Sequence, residues 1–285
     1  MDESAFTYAD PADPFLKRLA IGALEVATGR NRLRRLYFQH QAGGWEGASF
    51  FDVAIKALSL DLRYDADQLA ALPKHGPLVI IANHPFGVLD GIVMCALIRK
   101  ARPDFLALAN AVLLRAPEMR EHILPIDFAP TKEARRANAG SRSKAVEHLQ
   151  NGGCMVIFPA GAVSTSPDPL GRRPAIDPPW TPYLARLVQS ACAPVTPIYF
   201  HGQNSRLFQI VSHISMNARL ALFFHELRRK IGARCDVVIG ETITFDRLAP
   251  ITDRHALVEV LRAATYSLAH SKGLASDLRE AAADA

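Results

Sequence analysis

Residues 77–91 read PLVIIANHPFGVLDG, and this segment is the clearest indication of the fold class in the sequence. The apolar run over residues 77–82 is short and unbroken, which is typical of a strand buried on both faces of a parallel sheet. Pro85 and Gly87 then favour a loop, and a helix is predicted over residues 89–100. A strand, a loop and a helix in this order form the repeating unit of α/β proteins.

The same alternation continues along the chain. Further strands are predicted over residues 105–110, 122–128, 154–161, 193–202 and 236–245. Helices are predicted over residues 51–60, 132–150, 183–191 and 255–270, and basic amphipathic helical segments over 14–40 and 206–230. The pattern predicts an α/β fold with a mostly parallel central sheet flanked by helices, preceded by an amphipathic helical region. Ligands of such sheets bind beyond the carboxyl ends of the strands, so we expect the chemistry in the turns that follow them.

The composition is that of a globular protein. The chain has 285 residues, of which 49% are hydrophobic and 21% are charged, and this excludes disordered, collagen-like and coiled-coil proteins. We predict an N-terminal helical membrane-docking region over residues 1–65, one α/β domain over 66–275 and a tail over 276–285.

Several features predict a cytoplasmic location. No apolar run approaches the roughly 18–20 residues that cross a bilayer, and the acidic N-terminus lacks the basic and apolar regions of a signal peptide. The four cysteines lie far apart without metal-ligand spacing, which favours reduced thiols over disulfides or zinc.

His84 follows the first strand, and Asp90 lies at the predicted start of the next helix. The loop between them could fold Asp90 back onto His84, which would fix the tautomer of the imidazole and stabilise its protonated form, as a general base requires. The alternative is a surface loop with an incidental histidine. Two later turns, FPAGAVS over residues 158–164 and PIYFHGQN over 197–204, are ordinary when taken singly.

The three segments NHPFGVLDG, FPAGAVS and VTPIYFHGQNS, in this order, resemble the ordered blocks of the glycerolipid and lysophospholipid acyltransferase family. The similarity covers about residues 70–245, and within the family the chain looks most like bacterial lyso-ornithine lipid and related aminolipid O-acyltransferases. The resemblance implies that His84 is the general base and Asp90 its partner. It also implies that backbone amides of the second block stabilise the oxyanion, in the segment made of Phe158, Pro159, Ala160 and Gly161. Candidate substrate-binding residues are Asn83, Gly87, Ser164, Arg172, Asn204 and Arg206.

The chain departs from the family pattern at three positions. Five residues separate His84 from Asp90 where the family has four, and Ala160 stands in place of a glutamate. Val163 replaces an arginine whose fork suits the phosphate of lysophosphatidate. An acceptor with an amino-acid head group is therefore favoured. Lysophosphatidate or another lysophospholipid is the alternative, with Arg172 or Arg206 as a compensating arginine.

The implied reaction moves a fatty acyl chain from an acyl thioester, on acyl carrier protein or coenzyme A, to the hydroxyl of a lysolipid. It requires no metal and no bound cofactor. The chain lacks the GxSxG motif of serine hydrolases, the HExxH motif of zinc proteases, and the Walker and GxGxxG loops of nucleotide-binding proteins. Because the second block is altered, a non-catalytic membrane-binding protein on the same scaffold is a further alternative.

The net charge of +5 is unevenly distributed. Residues 14–40 carry a net +5 and residues 206–230 a net +4, so the remainder of the chain is net negative. Apolar stripes beside clustered basic residues predict helices that lie on an anionic membrane, on the inner face of the cytoplasmic membrane. The alternative, that both stripes pack on the core, stays open. The predicted membrane contacts are Phe15, Leu16, Arg18, Arg34, Arg35, Leu207, Phe208, Phe223 and Phe224.

Positive charge on a protein surface has two other possible partners, nucleic acid and an acidic acyl donor. Nucleic acid is disfavoured as a partner, because no recognised binding motif is present and the aromatic residues follow the apolar stripes. A third basic cluster, within residues 132–144, is interpreted as a solvated helix face, a dock for an acidic carrier protein, or a site for the phosphates of coenzyme A.

Overall fold

The computed structural model of the chain describes residues 49–270 except 116 and 215, and also the single residues 22, 31 and 35. The predicted contacts Phe15, Leu16, Arg18 and Arg34, like the tail over 276–285, lie outside the described residues. Arg35 is described as a helical, exposed residue. Within the described part of the chain, no helix is long and apolar enough to cross a membrane.

The described elements alternate between strands and helices. The strands are β1 (Asp61–Arg63), β2 (Leu78–Ala82), β3 (Leu106–Asn110), β4 (Ile123–Ile126), β5 (Cys154–Ile157), β6 (Val195–Phe200) and β7 (Arg234–Ile239). The helices are α1 (Phe50–Ala57), α2 (Ala66–Ala70), α3 (Val88–Ala101), α4 (Lys132–Gln150), α5 (Tyr183–Ala191), α6 (Arg206–Ser212), α7 (Met216–Arg229), α8 (Phe245–Leu248) and α9 (Arg254–Ser267). Short 3-10 turns cover Ala111–Arg115, Pro117–Met119 and Leu268–His270.

The strands form one seven-stranded sheet in the order β1-β7-β6-β2-β5-β3-β4. Neighbouring strands are parallel except β6 and β7, which are antiparallel. The predicted α/β fold with a mostly parallel sheet is therefore confirmed. β2 lies at the centre, and all five of its residues are buried, as the unbroken apolar run predicted.

The core has two layers because side chains alternate between the faces of β2. Leu78 and Ile80 pack with α3 in one apolar cluster, and Val79 and Ile81 pack with α5 and α9 in another. Helices thus cover both faces of the sheet.

The α/β domain begins earlier than residue 66. β1 is paired with β7 in the sheet, with Asp61 opposite Arg234. Phe51 of α1 is 1% exposed and belongs to the main apolar cluster. Residues 50–65 are therefore part of the α/β domain and not of a separate helical region. The three residues of β1 give no alternating pattern long enough to be recognised in the sequence.

The basic segment over residues 206–230 forms two helices, α6 and α7, and not one continuous stretch. Phe208 is fully buried, so its assignment to a membrane surface is wrong. Phe223 is half-buried and packs against Phe208 in a tilted arrangement with ring centroids 5.3 Å apart, while Phe224 packs against the main cluster. Leu207 is 49% exposed and remains available for a surface contact.

Arg102 joins the segments that precede β2 and β5, at the amino-terminal end of these strands. Its guanidinium is 1% exposed and donates to the carbonyls of Pro73, Gly76 and Gly152 at 2.8–3.1 Å. It also pairs with both oxygens of Asp104, at 2.8 and 2.7 Å. This end of the sheet is opposite the one that carries the predicted chemistry.

Candidate active site

Three adjacent parallel strands bring the predicted turns together. β6, β2 and β5 are neighbours in the sheet, so their carboxyl ends meet at one edge. The segments that follow them begin at residues 83, 158 and 201. The expectation that these turns share one edge is confirmed.

Asn83 attaches the first turn to β6. It is 3% exposed, and its side-chain amide donates to the carbonyl of Phe200 at 3.0 Å and accepts the N–H of Phe200 at 2.7 Å. The amide therefore replaces one step of strand pairing just where β2 ends, and this fixes the backbone that carries His84.

The loop folds Asp90 onto His84. Asp90 Oδ1 lies 2.9 Å from His84 Nδ1, and the Asp90 side chain is fully buried. Its other oxygen accepts the backbone N–H groups of Phe86 at 2.8 Å and Gly87 at 3.2 Å. The five-residue spacing is accommodated because Gly87 caps α3 with a φ of +85°, a conformation that only glycine adopts readily.

The contact between the two side chains is buried. Within the described residues, His84 Nδ1 and Asp90 Oδ1 have no hydrogen-bond partner other than each other, so the 2.9 Å contact is the interaction available to both atoms.

The imidazole of His84 is partly exposed, while its Nδ1 is buried against Asp90. Its ring stacks on Phe158 with centroids 4.1 Å apart and an interplanar angle of 26°, which sets the plane of the imidazole. The side chain is 18% exposed, and Nε2 has no hydrogen-bond partner within the described residues. Nε2 is thus the atom that can accept a proton from a ligand.

Asp177 holds the first two blocks together, although the sequence analysis did not select it. Its Oδ1 accepts the backbone N–H of His84 at 3.1 Å and the hydroxyl of Ser164 at 2.5 Å. Its Oδ2 accepts the indole N–H of Trp180 at 2.9 Å. Asp177 lies outside the three recognised blocks, and the one signal available was an aspartate near a tryptophan in a proline-rich loop.

The second block lies beside His84 through its backbone. The N–H of Ser164 donates to the carbonyl of His84 at 2.8 Å, and Pro159 is buried where its carbonyl accepts the N–H of Thr181 at 3.0 Å. The N–H of Gly161 donates to the carbonyl of Phe158 at 3.0 Å, so this amide is already used in the turn. The N–H groups of Ala162 and Val163 have no acceptor among the described residues.

The other candidate substrate-binding residues fall into two groups. Asn204 is 1% exposed, and neither polar atom of its amide has a partner within the described part of the chain. Arg172 and Arg206 are exposed, and the Nε of Arg206 donates to the carbonyl of Leu170 at 2.9 Å. The structure thus places these two arginines on an outer loop and on α6, where water screens their charge.

Arg219 of α7 is a buried cation that the sequence analysis counted only as part of a basic stripe. It is 8% exposed, and its Nη2 donates to the carbonyl of Val163 at 2.6 Å. The guanidinium also lies over the ring of Phe208, 5.4 Å from its centroid. Burial lowers the pKa of Arg219 from its usual value.

The described residues offer no cluster of metal-ligating side chains, and three of their four cysteines are buried. No group of three His, Cys, Asp or Glu side chains there could hold a metal ion. Cys95, Cys154 and Cys235 are buried, and burial raises the pKa of each thiol to about 12, so these cysteines are poor nucleophiles at neutral pH.

Two comparisons with known proteins bear on the family and the fold of the chain. Residues 64–201 match a model of the protein family described as Acyltransferase. Among solved structures, the fold is similar to the 1-acyl-sn-glycerophosphate (LPA) acyltransferase PlsC from Thermotoga maritima, with a TM-score of 0.50. The two are 15% identical, and the likeness covers 84% of this chain and 79% of that one. None of the curated proteins matches the chain significantly.

The family match spans the segment that holds His84, Asp90 and the second block, and it ends just after β6. The structural likeness, at this level of identity, concerns the fold. The chain thus matches the Acyltransferase family model over residues 64–201, just under half of its length, and has a fold similar to that of a solved acyltransferase.

Proposed function

We propose that the protein is an O-acyltransferase that moves a fatty acyl chain from an acyl thioester to the hydroxyl of a lyso-aminolipid of the lyso-ornithine lipid type. The observation that carries this proposal is the 2.9 Å contact between His84 Nδ1 and the fully buried Asp90, at the edge where three parallel strands end. A buried carboxylate behind an imidazole with an open Nε2 is the arrangement that a general base requires.

The reaction follows from these positions. His84 Nε2 takes the proton of the acceptor hydroxyl as its oxygen attacks the thioester carbonyl, and the new C–O bond forms. Asp90 stabilises the imidazolium that results. The N–H groups of Ala162 and Val163 are the candidate donors to the oxyanion. The C–S bond then breaks, and the leaving thiolate takes the proton back from His84.

The nature of the acceptor rests on the second block. Val163 stands where the resembling family has a phosphate-binding arginine, and this supports an amino-acid head group. Lysophosphatidate or another lysophospholipid is the second candidate, because the solved acyltransferase of similar fold is described as an LPA acyltransferase. The acyl donor is a thioester of acyl carrier protein or of coenzyme A. The chemistry requires no metal and no bound cofactor.

A surface beside the site supports binding to an anionic membrane, on the inner face of the cytoplasmic membrane. It combines three exposed apolar side chains with two exposed arginines, and we name it the α6 surface: Leu170, Leu207, Ile214, Arg172 and Arg206. The hydrogen bond from Arg206 to Leu170 joins the loop to the helix. Apolar side chains among cations suit the headgroup region of anionic lipids.

The decisive experiment offers the purified protein lyso-ornithine lipid and lysophosphatidate, each with an acyl carrier protein thioester and a coenzyme A thioester. Mass spectrometry identifies the product. The variant His84→Ala should lose about 10²–10⁴-fold in rate, while its binding to anionic vesicles persists. His255→Ala, an exposed histidine of α9, is the matched control and should retain full activity.

The outcomes separate the alternatives. Acyl transfer with a strong loss in His84→Ala supports the proposal, and the better acceptor decides between the head groups. Wild-type turnover in His84→Ala would show that the base is misassigned. Vesicle binding without transfer from any donor would favour a non-catalytic membrane-binding protein.

A further inference from the structure

We propose that Arg219 is the residue that recognises the acceptor, by binding an anionic group, carboxylate or phosphate, in the head group of the lysolipid. The inference rests on the proposed function, since it assigns a specificity-determining residue to the same site. Arg219 lies in α7, outside the three sequence blocks.

The first line of support is the position of α7. Phe223, one turn after Arg219, packs directly on Gly87 and Val163: a Cβ added to Gly87 would lie 2.6 Å from Phe223 Cε1 and 3.2 Å from Val163 Cγ2. The helix therefore lies against both the His84–Asp90 loop and the second block. Its side chains are neighbours of the reacting groups and do not form a distant basic face.

The second line is a direct connection to His84. Arg219 Nη2 donates to the carbonyl of Val163 at 2.6 Å. The N–H of the same peptide group, that of Ser164, donates to the carbonyl of His84 at 2.8 Å. With ordinary peptide bond lengths, the guanidinium nitrogen lies no more than about 8 Å from the His84 carbonyl oxygen. The cation thus lies close to the backbone of the residue that carries the candidate base.

The third line is the charge itself. Arg219 is 8% exposed, and no carboxylate among the described residues lies within ion-pair distance of it. Glu226, the acid in the sequence of α7, is bonded instead to the backbone N–H and hydroxyl of Ser205. A buried cation is costly unless an anion pairs with it, and a guanidinium stays charged at any ordinary pH.

The guanidinium of Arg219 has N–H donors that are available to a ligand. A guanidinium has five N–H donors, and the Val163 carbonyl accepts from one nitrogen. The ring of Phe208 covers one face of the group without accepting a conventional hydrogen bond. The remaining donors form a planar fork that matches a carboxylate or a phosphate in a bidentate contact. By comparison, Arg172 and Arg206 are exposed, and solvent weakens any pair they form.

The test measures binding in the His84→Ala background, so that its result does not depend on turnover. Three lysolipids in uncharged detergent micelles are compared: lysophosphatidate, lyso-ornithine lipid and uncharged monoacylglycerol. Arg219→Gln should weaken binding of at least one of the two lipids with an anionic group, the phosphate of lysophosphatidate or the carboxylate of lyso-ornithine lipid, by about 10–100-fold, and leave monoacylglycerol within about twofold. The lipid that loses affinity shows whether phosphate or carboxylate is the ligand. Arg186→Gln, an exposed arginine of α5, is the matched control and should change none of the three.

A merely structural role gives a different result. If Arg219→Gln weakens all three lipids equally or none, Arg219 only clamps the Val163 carbonyl and the proposal is wrong. If Arg219→Gln does not fold, Arg219→Lys is used instead, because lysine keeps the charge but not the planar fork. In this variant, the affinity for the lipid with the bound anionic group, divided by the affinity for monoacylglycerol, should fall about 3–10-fold. An unchanged ratio overturns the proposal. Absence of acyl transfer by the wild type would refute the proposed function while this binding comparison still stands.

Discussion

The carboxylate of Asp177 accepts the backbone N–H of His84 at 3.1 Å, so a buried acid from a distant loop holds the backbone of the candidate base. The same carboxylate accepts the hydroxyl of Ser164 and the indole N–H of Trp180. Asp177 is 3% exposed, and three donors thus converge on a group that water hardly reaches. The relative position of the first two blocks depends on it.

Asp177→Asn should lower both stability and turnover. The new NH₂ group faces at least one of the three donors, which leaves that donor unpaired. We expect the free energy of unfolding to fall by about 1–3 kcal/mol, measured by urea denaturation, and kcat to fall as the backbone of His84 shifts. Asp67→Asn, an exposed aspartate of α2, is the control and should change neither quantity. Full stability and activity in Asp177→Asn would contradict the role assigned to this carboxylate.

Asp90→Asn should impair the chemistry more than the fold. The asparagine oxygen can still accept the N–H groups of Phe86 and Gly87, but its NH₂ group then faces His84 Nδ1. This favours the tautomer with the proton on Nε2, which cannot accept a proton from the substrate. We expect kcat to fall by about 10²–10⁴-fold, with the circular dichroism spectrum unchanged. A rate within threefold of the wild type would show that Asp90 does not set the tautomer.

Gly87→Ala should destabilise the protein through both backbone and packing. The position has a φ of +85°, and the new Cβ would approach Phe223 Cε1 to 2.6 Å. We expect a loss of about 1–3 kcal/mol in thermal or urea unfolding. Adding Phe223→Leu should recover part of this loss, since it relieves the contact but not the backbone strain.

Gly140→Ala is the matched control for this prediction. Gly140 is an exposed glycine within α4, and a Cβ added there meets nothing within 4 Å. This variant should be more stable than the wild type by about 0.5–1 kcal/mol, because alanine favours the helix. Equal effects of the two glycine substitutions would refute the steric argument at Gly87.

Arg102→Met should destabilise the protein in a pH-dependent way. Removing the buried guanidinium leaves three backbone carbonyls and Asp104 without their donor, at a cost of about 3–5 kcal/mol near neutral pH. Arg102 lowers the pKa of Asp104, so the contribution of this pair is present above the ordinary aspartate pKa of about 3.9 and is lost as the pH falls through the lower, folded value. The stability difference between wild type and variant should therefore narrow in acid, as urea titrations from pH 7 to pH 3 would reveal. A difference that widens in acid would contradict this sign.

Ile214→Glu should weaken binding to anionic vesicles. Ile214 is 75% exposed on the α6 surface, and the substitution removes apolar area and adds a repelled charge. We expect partitioning onto vesicles with anionic lipid to fall by about tenfold, and wild-type binding to decrease with salt. Val260→Glu is the control, because it introduces the same charge at a 45% exposed valine of α9, and it should have little effect on vesicle binding. Equal losses in both variants would exclude the α6 surface as the docking face.

The sequence predicted most of the sheet because its signals are local. An unbroken apolar run before Asn83 indicated β2, and the helix predicted over residues 132–150 matches the observed bounds of α4. Parallel strands place their carboxyl ends together, so the meeting of three turns at one edge followed from the order of the elements. β1 was missed, since three residues at a sheet edge are stabilised by pairing with β7 and not by their own pattern.

Local sequence patterns predict the strand, loop and helix around His84, and they mark His84 and Asp90 as a candidate base and its carboxylate. Which amphipathic faces are covered, and which buried polar groups are paired, depends on the packing of distant segments, because an apolar stripe does not specify what packs on it. Phe208, predicted to contact the membrane, is therefore buried in the core. The roles of Asp177 and Arg219 depend on contacts between distant segments, which no local pattern in the sequence encodes.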